Sequence, residues 1–192
     1  MFCNTHRYIG KFIGKTIEQK SDYALDMKAF KHGCMIPDLA REYKRIPHYK
    51  DKSFDFVQKL ICSLTDNKAQ EPSDYEVQLG VVSHYICDYF CQMHNLPKKA
   101  NIVYHLLYEI YLMFAIKRAC ITDICDNQFD LLQNHLPKTA EEITLLIEET
   151  HLQYMEEKQS IRNDIHYAVA ASLMVVASVI NCTHPDIAQI SA

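Results

Sequence analysis

His84 and Asp88 stand four residues apart in an apolar stretch, and His105 and Glu109 repeat that spacing in a second one. Four residues turn an α-helix by about 400°, so each pair projects to one side from adjacent turns. His94 closes the first stretch. Val82, Tyr85, Ile86 and Phe90 surround the first pair, and Tyr104, Leu106, Leu107 and Ile110 the second. Imidazole and carboxylate groups buried there without partners would be costly. A fold that accepts both segments must therefore bring these groups onto a metal or onto one another. The spacing favours a metal, and zinc suits mixed imidazole and carboxylate donors.

The rest of the chain is also written in helical periods. Four glycines and six prolines in 192 residues leave little turn material. The first helix follows a cap at Asn4 or Thr5 and carries Tyr8, Ile9, Phe12, Ile13 and Ile17. Ser21 caps a second, through Phe30. Gly33 to Asp38 reads as a loop, followed by a short helix through Tyr43 and a second loop at Ile46 to Tyr49. Further helices are expected from Ser53 to Leu64, from Ser73 or Asp74 to Met93, and from Asn101 to Thr122. A shorter one follows over Asp126 to Leu136. Thr139, followed by Glu141 and Glu142, caps a helix to Lys158. Ser160 begins the last, ending near Cys182. The expected fold class is all-α: one single-domain bundle of six to eight helices over residues 1–192, with the fourth and fifth main helices side by side.

Charge and cysteine usage narrow the function. The net charge of −4 comes without a basic stripe, which disfavours nucleic acid as a partner. Eight cysteines without a Cys-x-x-Cys pair argue against a cysteine zinc ribbon. Cys62 and Cys182 lie in apolar stretches, as buried free thiols do. The start of the chain has no signal-peptide core, so the expectation is a reduced, cytoplasmic protein. Tyr167 to Ile180 is apolar for about 14 residues, short of the ~20 that cross a bilayer, and reads as a core helix rather than a transmembrane segment.

Asp88 can ligate one ion through one oxygen and a second ion through the other, as bridging carboxylates do in hydrolytic sites. His94, His105 and Glu109 form another three-donor set that leaves a position open for water. Among other residues, His32 reads as a solvated loop residue and His135 as a helix-end cation. His151 reads as surface, and Tyr104, Tyr108 and Tyr111 as core or site wall. Asp164 and His166 point to different helix faces. The paired glutamates from Glu141 to Glu157 read as a solvated face.

The segment from Gly80 through His84, Asp88 and His94 resembles the signature of the zinc-dependent phospholipase C family. His105 and Glu109 resemble its second ligand pair, Thr5-His6 its N-terminal motif, Gly33 to Asp38 its Gly-x-x-x-Pro-Asp loop, and Pro47-His48 the histidine that follows. The resemblance covers residues 5–109. It implies a helical zinc site of two or three ions. His84, Asp88, Asp38 and His48 would hold one, and His94, His105 and Glu109 a second. Asp88 would bridge to a third, held also by His6. In secreted members that ion also takes the amine and carbonyl of a mature N-terminal Trp, whereas this chain has no Trp. Gln92 stands where the family usually has Pro. Cys91 lies near the His84/Asp88 face and is read as lining.

The implied activity is hydrolysis of a phosphodiester, in this family a phospholipid, by water attacking phosphorus, with Asp38 as general base. Peripheral contact with a membrane stays open. Two alternatives stand beside it: a phosphodiesterase like the fungal single-strand nucleases, which use a similar helical three-zinc site, and a non-enzymatic zinc-binding protein with a degraded site.

Overall fold

The computed structural model describes residues 1–66, 72–96, 102–132 and 136–184. They form an all-α domain of ten helices: α1 (Cys3–Lys20), α2 (Met27–Gly33), α3 (Ile36–Leu39), α4 (Lys50–Thr65), α5 (Pro72–Tyr89), α6 (Gln92–Asn95), α7 (Ile102–Ile116), α8 (Ile121–Leu132), α9 (Ala140–Glu156) and α10 (Ile161–Thr183). A 3₁₀ turn over Tyr43–Arg45 joins α3 to α4. Eight of the ten helices have seven or more residues, so the expected bundle is present.

The caps explain where several helices begin. Thr139 Oγ1 accepts a hydrogen bond from the Glu142 amide (3.1 Å), and Glu142 Oε2 accepts one from the Lys138 amide (2.7 Å). Ser160 Oγ accepts from the Asn163 amide (3.2 Å), which starts α10 where expected. α2 starts later than the sequence suggests. Its cap is Asp26, whose Oδ1 accepts from the Lys28 and Ala29 amides, not Ser21. Residues 36–38, expected as loop, fall with Leu39 in the short helix α3, with Pro37 in its first turn.

α5 and α10 form the centre. α10 is buried on every side from Ala168 to Asn181. Its 23 residues exceed the expected stretch and are long and apolar enough to cross a membrane, yet 83% of the apolar window is buried against the rest of the protein. Ser83 Oγ and Ser172 Oγ meet at 2.7 Å and tie α5 to α10. Against its other side α5 meets α2 through two glycines. A Cβ on Gly33 would lie 2.0 Å from the Val77 carbonyl oxygen, and one on Gly80 would lie 2.2 Å from that of Phe30. Only glycine lets these backbones approach so closely.

Two expected long helices are each broken. The fourth ends at Tyr89, and an extended Cys91 (φ −115°, ψ 124°) redirects the chain before α6. Asn95 Nδ2 donates to the carbonyls of Tyr89 and Cys91 (2.8 and 2.9 Å), which fixes the turn. The fifth ends at Ile116, and α8 starts at Ile121. α7 rests chiefly on α10 and α1 instead of lying along α5. Cys62, expected to be buried, is exposed, and all eight cysteines are free.

Candidate metal centre

The donors arrive from six places in the fold. α1 supplies His6, α3 Asp38, the start of α4 follows His48, α5 carries His84 and Asp88, α6 His94, and α7 His105 and Glu109. All eight residues read from the sequence meet in one buried region. They form three groups: His6 with His84 and Asp88; Asp38 with His48 and His84; and His94 with His105 and Glu109. Within each group the donor atoms lie within 4.8 Å of one another.

Asp88 stands at the centre and is fully buried. Its Oδ2 lies 2.8 Å from His48 Nδ1 and 3.3 Å from His84 Nε2. Its Oδ1 lies 3.3 Å from His6 Nε2 and 3.6 Å from His94 Nε2. The two oxygens thus face different donor sets, the disposition a bridging carboxylate needs. Asp38 Oδ1 is 3.8 Å from both His48 Nδ1 and His84 Nε2. Glu109 Oε1 is 2.9 Å from His105 Nε2 and 3.5 Å from His94 Nε2.

Backbone carbonyls orient two of the imidazoles. His84 Nδ1–H donates to the Cys34 carbonyl (2.9 Å), and His94 Nδ1–H donates to that of His48 (3.1 Å). A carbonyl can only accept, so in the neutral rings each Nε2 keeps its lone pair and points it at the centre. That tautomer is the one a metal-ligating histidine takes.

For four of the eight residues, electrostatics favour the protonation states that metal binding needs. Burial pushes His6 down to about 3, with the neighbouring His84 adding to it. Burial also lowers His94. Burial opposes ionisation of Asp88, but His94, the N-terminal charge and His6 hold it well below the carboxylate range. Burial likewise opposes Glu109, which the His94 hydrogen bond and the N-terminal charge bring to about 2. Neutral imidazole and ionised carboxylate are the forms that bind metal.

Orphaned polar atoms test the fit. His6 Nδ1, His6 Nε2 and Asp38 Oδ2 are buried without a hydrogen-bond partner. The His6 ring stacks on His84 with centroids 3.7 Å apart, and its Nε2 points toward Asp88 Oδ1 at 3.3 Å. Buried polar atoms are rarely left so. Zinc beside His6 Nε2 would satisfy one of them, and the donor set suits it.

Where the resemblance expects the amine of a Trp, the structure places the amine of Met1. It is buried against Asp88 Oδ1, 3.1 Å from His94 Nε2 and 3.4 Å from Glu109 Oε1. Burial disfavours its charge, yet Asp88 and the other anions around it push it up to about 12. A cationic ammonium therefore stands where three donors converge.

A family model for zinc-dependent phospholipase C matches residues 5–161. The chain belongs to the zinc-dependent phospholipase C family. Comparison with curated proteins and with solved structures gave no match. Family membership carries zinc dependence and a hydrolase of phospholipase C type in general terms.

Other residues of this phospholipase C family member stand differently from their sequence reading. Asp164 is buried, and no spacing marked it. Its Oδ2 accepts from the Gln92 amide (2.8 Å) and from Tyr108 Oη (2.7 Å), and its Oδ1 from Tyr154 Oη (2.8 Å). It thereby clamps the turn before His94 to the helix carrying His105 and Glu109. His151 is half-buried, not surface, and pairs with Asn95 Oδ1 at 3.0 Å. Tyr104 and Tyr111 are exposed, and only Tyr108 packs inward. Cys91 is buried beside the cluster but joins none of the three groups. His32 and the paired glutamates are exposed as expected. His135 lies outside the described residues.

Proposed function

We propose that the chain is a zinc-dependent phosphodiester hydrolase of phospholipase C type. The observation that carries this reading is Asp88, whose two oxygens face histidines drawn from all three donor groups. In the proposed assignment, Asp38, His48, His84 and Asp88 hold one ion, and His94, His105 and Glu109 a second. Asp88, His6 and the Met1 amine, once deprotonated, hold the third. When bound, zinc supplies Lewis acidity toward phosphate oxygens and lowers the pKa of water.

The remaining steps fall to this chain's own groups. Asp38 keeps Oδ1 toward His48 and His84, and its Oδ2 has no hydrogen-bond partner. Burial raises this carboxyl, so it is a stronger base than a solvated aspartate. Its Oδ2 takes a proton from the attacking water. A bond forms from the water oxygen to phosphorus, the bond to the opposite ester oxygen breaks, and the departing alcohol takes up the proton. Substrate can approach through a cleft of about 480 Å³ beside His94, lined by Tyr49, Lys50, Asn95 and His151. The eight free thiols support a reducing, cytoplasmic setting.

Metal analysis with a substrate panel tests the reading. Two or three zinc ions per chain, with hydrolysis of a phosphocholine ester, are expected. Turnover of single-stranded nucleic acid and not of the ester would replace it with the nuclease reading. Zinc without turnover of either would replace it with a binding protein.

A further inference from the structure

α7 is apolar on nearly its whole circumference, but only one side of it is covered. Leu112 and Ile116 are buried, and His105, Tyr108 and Glu109 turn inward with them. At about 100° per residue, Leu107, Tyr111 and Phe114 fall on the opposite side. They are 58%, 64% and 53% exposed, and Ile102 at the helix start is 83% exposed. Leu106 extends the same surface at 49%. Contiguous exposed apolar surface of this kind marks an interaction site.

We infer that the outer face of α7 docks the protein on a phospholipid bilayer bearing anionic head groups. Three observations select that occupant. The first is length. Fifteen residues span about 22 Å, too short for the ~30 Å hydrocarbon core but suited to a helix lying in the interface. The second is charge. Between Ile102 and Arg118 the only acidic residue is Glu109, which faces the metal centre. Lys117 and Arg118 are exposed just past the helix end, so α7 itself presents cations and no outward acid, with Arg162 beside the Asp123 and Glu157 that line the neighbouring groove. The third is continuity. The same helix holds His105 and Glu109 on its inner side, so docking brings those donors to the layer where phosphodiesters of lipids lie. Tyr111 and Phe114 are also the residue types that anchor at head-group depth. The inference rests on the phospholipase reading only for why a bilayer should be approached.

The absence of Trp gives a clean reporter. Leu107→Trp should shift its emission to the blue on mixing with phosphatidylcholine vesicles containing about one-fifth phosphatidylserine, and a control Glu18→Trp on α1 should not. In co-sedimentation with the same vesicles, Leu107→Ser combined with Phe114→Ser should weaken binding at least about tenfold. Zinc content and turnover of a soluble monomeric phosphodiester should stay unchanged. Lys117→Glu with Arg118→Glu should remove the preference for the anionic vesicles. Equal vesicle binding by wild type and the serine variant overturns the inference, as does a wild-type dimer that the serine variant converts to monomer. Vesicle binding without hydrolysis of any phosphodiester would sink the enzymatic reading and leave the docking face standing. Hydrolysis of the soluble ester without vesicle binding would do the reverse.

Discussion

His48 Nδ1 sits 2.8 Å from Asp88 Oδ2, although His48 lies in the loop before α4 and Asp88 on α5, separated by 40 positions. Asp88 does not belong to its own helix's pair alone. His48 and His84 approach one of its oxygens while His6 and His94 approach the other. Asp88→Asn keeps the shape and removes one acceptor oxygen. Zinc per chain, measured by mass spectrometry of the metal, should fall by at least one ion, and turnover by at least about a hundredfold. Unchanged zinc would show the bridge to be misassigned.

Asp164→Asn should act at a distance. The amide cannot accept at both ends, so at least one of the Gln92, Tyr108 and Tyr154 donors loses its partner. A stability loss of about 2 kcal/mol follows. The selective expectation is release of the ion at His94, His105 and Glu109, with affinity falling about 10–100-fold. The remaining zinc should stay. A merely structural role would lower the melting temperature and leave the stoichiometry intact.

Zinc binding should release protons. His6 and His94 are held neutral and Asp88 and Glu109 ionised, so these four bind without losing a proton. The Met1 ammonium, pushed up to about 12, must shed one to become a donor. Titration of zinc into chelated protein, run calorimetrically in buffers of different ionisation heat, should report about one proton or more per filled chain. Zero release would leave the amine outside the metal's reach. The same zinc should raise the melting temperature by at least about 5 °C.

Glu76 gives a pH signature away from the metal. Burial pushes its carboxyl up to about 7 despite the hydrogen bond from Tyr23 Oη (2.7 Å). The folded protein therefore holds this proton more tightly than the unfolded chain does. The stabilisation is complete below the unfolded value and is lost as pH rises through about 7. Glu76→Gln, which does not titrate, should melt near wild type at about pH 5 and a few degrees above it at about pH 8.5. A variant less stable at the higher pH would contradict the assignment.

Reading the sequence picked out the eight residues that cluster because each carries a mark of its own. His84 and Asp88 share a helical face, as do His105 and Glu109. His6, Asp38 and His48 follow small motifs in a fixed order. The breaks at Tyr89 and Ile116 carried no such mark. Residues 83–94 are apolar and helical in period throughout, and what stops the helix is Asn95 reaching back to two carbonyls and Asp164 taking the Gln92 amide. Those are tertiary contacts, invisible to periodicity. Asp164 escaped for the same reason: its three donors come from residues 56, 72 and 10 positions away. A backbone group at the chain start stays open in the sequence because the resemblance ties it to a Trp, whereas the amine that meets Asp88 belongs to Met1.

Gly33 and Gly80 set the distance between the segment leading to Asp38 and the helix carrying His84 and Asp88. Gly33→Ala should cost at least about 2 kcal/mol, read from chemical denaturation. No side chain lies between these two backbones, so nothing there can adjust its rotamer. The spacing of the donors is thereby insulated from drift in the surrounding core, and most repacking around Phe30 or Leu79 should alter how long the protein survives heating without altering which ion it selects.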